Sequence, residues 1–184
     1  MLRAKNAVGT FFVNGQNYVD ITTNPAAAQR IRDIYNAGHQ IGSHTFRHAD
    51  LATLGNQAMW NEMRLLDNAL KALIGVRPIH VRLPFLSSSQ AVLNALGSWG
   101  YRVVGVNLDT KDYAHTNPAT QVEQNKAQYL SQLQQGFPSW ISLQHERMSE
   151  TGVWLDYYID DLRARGYTLV TAATCLGDGA MYRA

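Results

Sequence analysis

The chain of 184 residues has one cysteine, Cys175, so no internal disulfide can staple it and its core must hold by packing and hydrogen bonding. A lone cysteine is most often a buried small hydrophobe; a partner outside the chain is the alternative. Long apolar runs are missing too. No stretch approaches the roughly 18 consecutive apolar residues of a membrane span, and Met1, Leu2, Arg3, Ala4 and Lys5 lead into no apolar signal core. Neither a membrane partner nor a signal peptide is expected in this chain. Charge of one sign is lacking as well: 16 Lys and Arg stand against 14 Asp and Glu, a formal net of +2, with no basic run that would form a nucleic-acid footprint. Nucleic acid is not an expected partner.

What is there is the composition of a globular protein, 46% hydrophobic and 16% charged, enough for a substantial core in a single domain over residues 1–184. Runs rich in β-branched and aromatic residues alternate with helical patterns, as in βα units around a mostly parallel sheet. Strands are expected at 7–13, 40–44, 79–83, 102–107, 140–144 and 167–171. Met59, Met63, Leu66, Leu70 and Leu73 recur at the spacing that buries one face of a helix. Pro25 near the start and Gly38 past the end bracket a second helix, with Ala27, Ile31 and Ile34 on one side. A third gathers Leu155, Ile159 and Leu162 before Gly166 stops it. Strands alternating with helices in this way give an α/β fold, either an incomplete barrel or an open sheet, and in both architectures ligands bind at the carboxyl ends of the strands.

The residues just past those ends are chemically competent. His44 and His48 follow the second strand, Arg82 and Pro84 come at the third, Asp109 and Asp112 follow the fourth, and His145 follows the fifth. Two imidazoles four residues apart reach one divalent ion if the backbone makes a helical turn, although an isolated pair at this spacing is more often a solvated turn. Two ligands are also too few, since catalytic zinc takes about three protein ligands plus water. Arg82, on a strand pointing inward, calls for a carboxylate, in a site or in a structural ion pair. Asp112 can orient His145 and keep it protonated as a general acid; a satisfied histidine at a strand end is an equal alternative. His39, His80 and His115 read as loop or surface histidines, and Glu62, Asp67, Asp160 and Asp161 as solvated helix faces.

Four ordered motifs carry a resemblance. His44-Thr45-Phe46-Arg47-His48, after Gly38-His39-Gln40-Ile41-Gly42-Ser43, is similar to a histidine-pair motif, and Arg82-Leu83-Pro84-Phe85 to an R-x-P-F/Y motif. Asp109-Thr110-Lys111-Asp112-Tyr113 resembles an Asp-aromatic motif, and Ile141-Ser142-Leu143-Gln144-His145 an I-x-L-x-H strand end. Together they resemble the polysaccharide deacetylase family, the NodB homology domain or carbohydrate esterase family 4. Thr10-Phe11-Phe12-Val13-Asn14-Gly15 and Cys175-Leu176-Gly177-Asp178 look like its fungal chitin deacetylase branch.

The resemblance implies a distorted (β/α) barrel of the NodB type and a divalent metal, commonly zinc, held by His44 and His48. It implies that a metal-activated water attacks the acetamide carbonyl, with the backbone N–H of Phe85 stabilising the oxyanion. His145 would protonate the leaving amine, Asp112 would tune His145, and Arg82 would hold the base. Leu143 would border the acetyl methyl, and Phe85 and Tyr113 would line a saccharide groove. The family's first motif, T-F-D-D-G, supplies the base and the third metal ligand, and no Asp-Asp pair precedes Thr10. The expectation is therefore an N-terminally truncated domain lacking its first strand, with weak or absent activity and self-association through an exposed strand edge. The resemblance further implies that a Cys at the position of Cys175 pairs, in the fungal branch, with one upstream of that motif, so the unpaired Cys175 fits a missing N-terminal segment and favours a disulfide partner outside this chain. The implied activity is hydrolysis of N-acetyl groups from chitin or chitooligosaccharides by a secreted or cell-wall protein. A non-catalytic saccharide-binding homologue, or a deacetylase of acetylxylan or peptidoglycan, is the alternative.

Overall fold

Parallel pairing of short strands organises the chain, which is described by a computed structural model over residues 2–146 and 151–184. In chain order the elements are β1 (Thr10–Val13), α1 (Pro25–Asn36), β2 (Gln40–Ser43), α2 (Asn56–Ile74), β3 (Arg77–Pro78), β4 (His80–Val81) and α3 (Gln90–Ser98). There follow β5 (Arg102–Val103), β6 (Leu108–Asp109), α4 (Gln121–Leu133), β7 (Ser142–Leu143), α5 (Thr151–Ala164), α6 (Ala172–Cys175) and β8 (Tyr182–Arg183). They gather into two units, Val8–Gly105 with Thr171–Ala184, and Met1–Ala7 with Val106–Val170.

The first of these is built on a parallel sheet in the order β1-β2-β4-β5. β2 is central and buried at all four positions, as expected for a parallel strand covered on both faces. Gly42 in β2 leaves room for the Phe12 ring; a Cβ there would come within 2.6 Å of it. Helix α1 starts where Asn24 accepts the Ala27 N–H at 3.0 Å, a cap that contributes about 1 kcal/mol. Helix α2 buries Met59, Met63, Leu66 and Leu70, and each such side chain contributes about 1.5–3 kcal/mol. Ile31, Ile41, Leu66 and Leu70 form one core cluster, and Met63, Val81, Val92 and Leu96 a second. β8 closes the unit against β3, with the Tyr182 hydroxyl accepting the Ile41 N–H at 2.8 Å.

In the other unit β6 and β7 pair in parallel. Trp154 and Tyr129 are fully buried and pack with Leu108, Tyr158 and Leu162. Burial pushes the Tyr158 phenol up to about 12.

Three helices lie where periodicity puts them, α1, α2 and α5. Several expectations need correction. Residues 167–170 form no strand: Tyr167 and Leu169 pack on the aromatic cluster, and Thr171 caps α6 by accepting the Thr174 N–H at 3.4 Å. Of the strand expected over 102–107 only Arg102–Val103 forms, as β5, and β6 lies beyond it in the other unit. Helices α3 and α4, and the pair β3 and β8, are additional. Cys175 is half-buried at the end of α6 rather than in the core.

Candidate active site

Because β1, β2 and β4 run parallel, their carboxyl ends fall on one edge of the sheet, and the residues leaving them are Asn14, His44 and Arg82. His44 and His48 meet edge to face, with ring centroids 4.8 Å apart. They do so without the helical turn the spacing calls for. Thr45 and His48 both take left-handed conformations, φ +64° and +59°, and fold the segment back. A left-handed β-branched residue is strained by about 1–3 kcal/mol, and the Thr45 hydroxyl is buried with no hydrogen-bond partner among the described residues. His44 Nδ1 donates to the Arg82 carbonyl at 2.7 Å, which fixes the neutral tautomer whose Nε2 carries the lone pair.

Arg82 is buried, 6% exposed, and its guanidinium reaches the Gly105 carbonyl at 3.3 Å and lies 4.4 Å over the Phe12 ring. Its backbone carbonyl thus links the end of β4 to the His44 ring. Phe85 and Leu86, at φ +59° and +54°, turn the chain sharply and leave the Phe85 side chain 69% exposed, edge-on to His48 at 4.8 Å.

In the other unit Asp112, 1% exposed, grips His145 twice. The His145 backbone N–H donates to Oδ2 at 2.6 Å and the ring Nδ1 donates to Oδ1 at 2.8 Å. The second bond engages Nδ1 and leaves Nε2 as the ring nitrogen that Asp112 does not hold. Tyr113 packs edge-on to His145 at 5.4 Å and donates its hydroxyl to Asp109 at 3.2 Å. Burial and the neighbouring Asp109 carboxylate raise the Tyr113 phenol. Asp109 shapes the turn, accepting the Lys111 N–H at 2.9 Å, so Asp112 alone of this pair holds the histidine. Leu143 stands opposite Asp109 in register, and its carbonyl accepts the Thr110 hydroxyl at 3.0 Å.

Sequence reasoning missed several buried polar residues, of which Glu62 and Gln132 bond to segments of the site. Glu62 is 6% exposed, not solvated, and accepts the Arg47 N–H at 2.7 Å between the two histidines. Asp67 is also buried, accepting from Tyr101 at 2.7 Å and Arg183 at 2.9 Å. His80 is fully buried rather than on the surface, between Gln40 at 2.9 Å and Asp178 at 2.7 Å. Gln132 of α4 accepts the Asp109 N–H at 2.8 Å and donates to its carbonyl. Each depends on a neighbour distant in sequence, so no local signal marks it. No cluster of three or more His, Cys, Asp or Glu fit to hold a metal occurs among the described residues. The donor chemistry of the oriented His44 and His48 fits two ligands of a divalent ion.

The model of the family described as polysaccharide deacetylase matches residues 1–104. A chitin deacetylase of Colletotrichum lindemuthianum is 36% identical over 182 residues, 97% of this chain and 72% of that protein. A chitin deacetylase of a Pestalotiopsis species is also 36% identical, over 98% of this chain, which spans only 58% of that relative's length. Against the solved Colletotrichum enzyme the TM-score is 0.93 at 35% identity, covering 99% of this chain and 82% of the other. Such agreement in sequence and backbone, across the strands that carry His44, Arg82, Asp112 and His145, means that the chain belongs to the polysaccharide deacetylase family.

Proposed function

We propose that the protein hydrolyses N-acetyl groups of N-acetylglucosamine polymers, chitin or its oligosaccharides, at a cell wall, with a divalent cation, zinc, held by His44 and His48. The observation that carries this reading is the double grip of Asp112 on His145, an arrangement suited to protonating a poor leaving group. When bound, the cation polarises the acetamide carbonyl and acidifies water. His44 and His48 bind it through ring nitrogens, His44 in the tautomer set by the Arg82 carbonyl.

His145 holds a proton at Nε2 and passes it to the amide nitrogen as the C–N bond breaks, so that water and acetamide become acetate and a free amine. Asp112 keeps the ring oriented, accepting from both its Nδ1 and its backbone N–H. The Phe85 backbone N–H is assigned to the oxyanion, its exposed ring and that of Tyr113 to the sugar, and Leu143 to the acetyl methyl. Arg82 orients groups around the histidine pair.

Two measurements test this. Acetate release from chitooligosaccharides should be detectable and should fall about 10²- to 10⁴-fold in His145→Ala. Oligomer binding with no acetate release from the wild type would instead select a saccharide-binding protein. Calorimetric titration with zinc should show a weak site, since two imidazoles leave solvent to complete the shell, and it should vanish in His44→Ala and in His48→Ala. Equal binding by all three proteins would refute the metal assignment.

A further inference from the structure

The peptide between the two histidines is held by hydrogen bonds from both sides. At its start the His44 N–H donates to the Val13 carbonyl at 2.9 Å. The Asn14 side-chain amide then donates to two successive carbonyls, those of His44 and, at 3.0 Å, Thr45. The Gln16 N–H donates to the Phe46 carbonyl at 2.6 Å. Between them Gly15 has no side chain because the Phe46 ring occupies that space; a Cβ would lie 2.0 Å from it. From the opposite side, the Phe46 N–H donates to the Glu62 carbonyl at 3.1 Å, and the Arg47 N–H donates to the Glu62 carboxylate at 2.7 Å. The Arg47 guanidinium reaches the same carboxylate at 3.2 Å.

Thr45 and His48 occupy conformations that L-residues avoid, and such geometry persists only where its surroundings over-determine it. We propose that Asn14 and Glu62 are positioning residues for the His44–His48 pair: together they hold the intervening peptide in its left-handed turn and so keep the two imidazoles converged. The inference deepens the metal assignment above and rests on it. Neither residue would ligate the ion; each acts through backbone groups flanking the two histidines. A buried carboxylate on α2 is suited to this task because it accepts a backbone N–H more strongly than a neutral group would.

Asn14→Ala and Glu62→Leu remove the two holds separately. Glu62→Gln keeps an acceptor for the Arg47 N–H and serves as the conservative rescue. Asp67→Asn is the control, a buried carboxylate on the same helix that bonds Tyr101 and Arg183 instead. The first measurement, on metal-free protein, is the nuclear Overhauser contact between the His44 and His48 rings. It should weaken or vanish in Asn14→Ala and Glu62→Leu, persist in Glu62→Gln, and be untouched in Asp67→Asn even where that variant melts earlier. The second is titration with Co2+ followed by visible absorption, in which both disruptive variants should bind about 10- to 100-fold more weakly. If either disruptive variant fails to fold, the other, with Asn14→Ser as a single-donor substitute, carries the comparison. Retained ring contacts and Co2+ affinity within twofold of wild type in the disruptive variants would overturn the proposal, as would an equal loss in Asp67→Asn. Absence of Co2+ binding in the wild type would overturn the metal assignment alone, because the ring contact still decides whether Asn14 and Glu62 hold the pair.

Discussion

The Gly9 N–H donates to His39 Nδ1 at 3.3 Å, and burial lowers the pKa of that imidazole below its ordinary value of 6.5. The folded chain therefore favours the neutral ring. Between the unfolded and the folded pKa the unfolded chain binds more protons, so the His39 contribution is complete above the unfolded value and is lost as pH falls through the folded one. Urea unfolding should show stability declining below the ordinary value of 6.5, and less steeply in His39→Gln; identical slopes for the two proteins would refute it. Other residues differ in how openly the sequence shows them. His44, His48, Asp112 and His145 stand at strand ends with motif spacing, so their chemical types are legible. Asn14 and Glu62 are not, because what makes them matter is a turn 30 residues from one and 15 from the other. His80 was misread for the same reason: its partners Gln40 and Asp178 lie 40 and 98 residues away.

Elements divide along similar lines. Helix α2 is legible because its buried stripe is apolar, and its weight in the fold can be measured. Met63→Ala, at a fully buried position, should cost about 2–5 kcal/mol in chemical denaturation. Leu65→Ala, at a position 40% exposed, should stay within about 0.5 kcal/mol. Equal losses would mean the helix packs in another rotation. Helix α4 escaped notice because the positions it buries at helical spacing are Gln121, Asn125 and Tyr129, so its inward stripe is mostly polar. Hydrophobic periodicity has nothing to detect there. Helix α3 offers only Val92 and Leu96 as buried residues in nine, too little for a pattern. The stretch 167–171 has strand-like composition, yet its side chains are used by an aromatic cluster and a helix cap, a tertiary choice that overrides local preference.

At the scale of the molecule, the α/β class follows from alternation, while the return of the last residues to the first unit does not. Residues 171–184 bond back at several points: the Ala172 N–H to Thr10 at 2.8 Å, the Ala173 N–H to Gln40 at 3.0 Å, and Asp178 to both His80 and Arg102. Removing the carboxylate in Asp178→Ala strands a buried imidazole N–H, at a cost of about 1–3 kcal/mol. In a double-mutant cycle with His80→Ala the two losses should be non-additive by about 0.5–3 kcal/mol, and simple additivity would break the assigned link. The same return of the chain governs the order of events during synthesis. A ribosome adding about 5–20 residues per second needs several seconds to make residues 106–170 after finishing the sheet strands. Throughout that interval Gln40 and His80 wait without the partners that residues 171–184 bring. The sheet strands are thus made well before the groups that complete their buried hydrogen bonds.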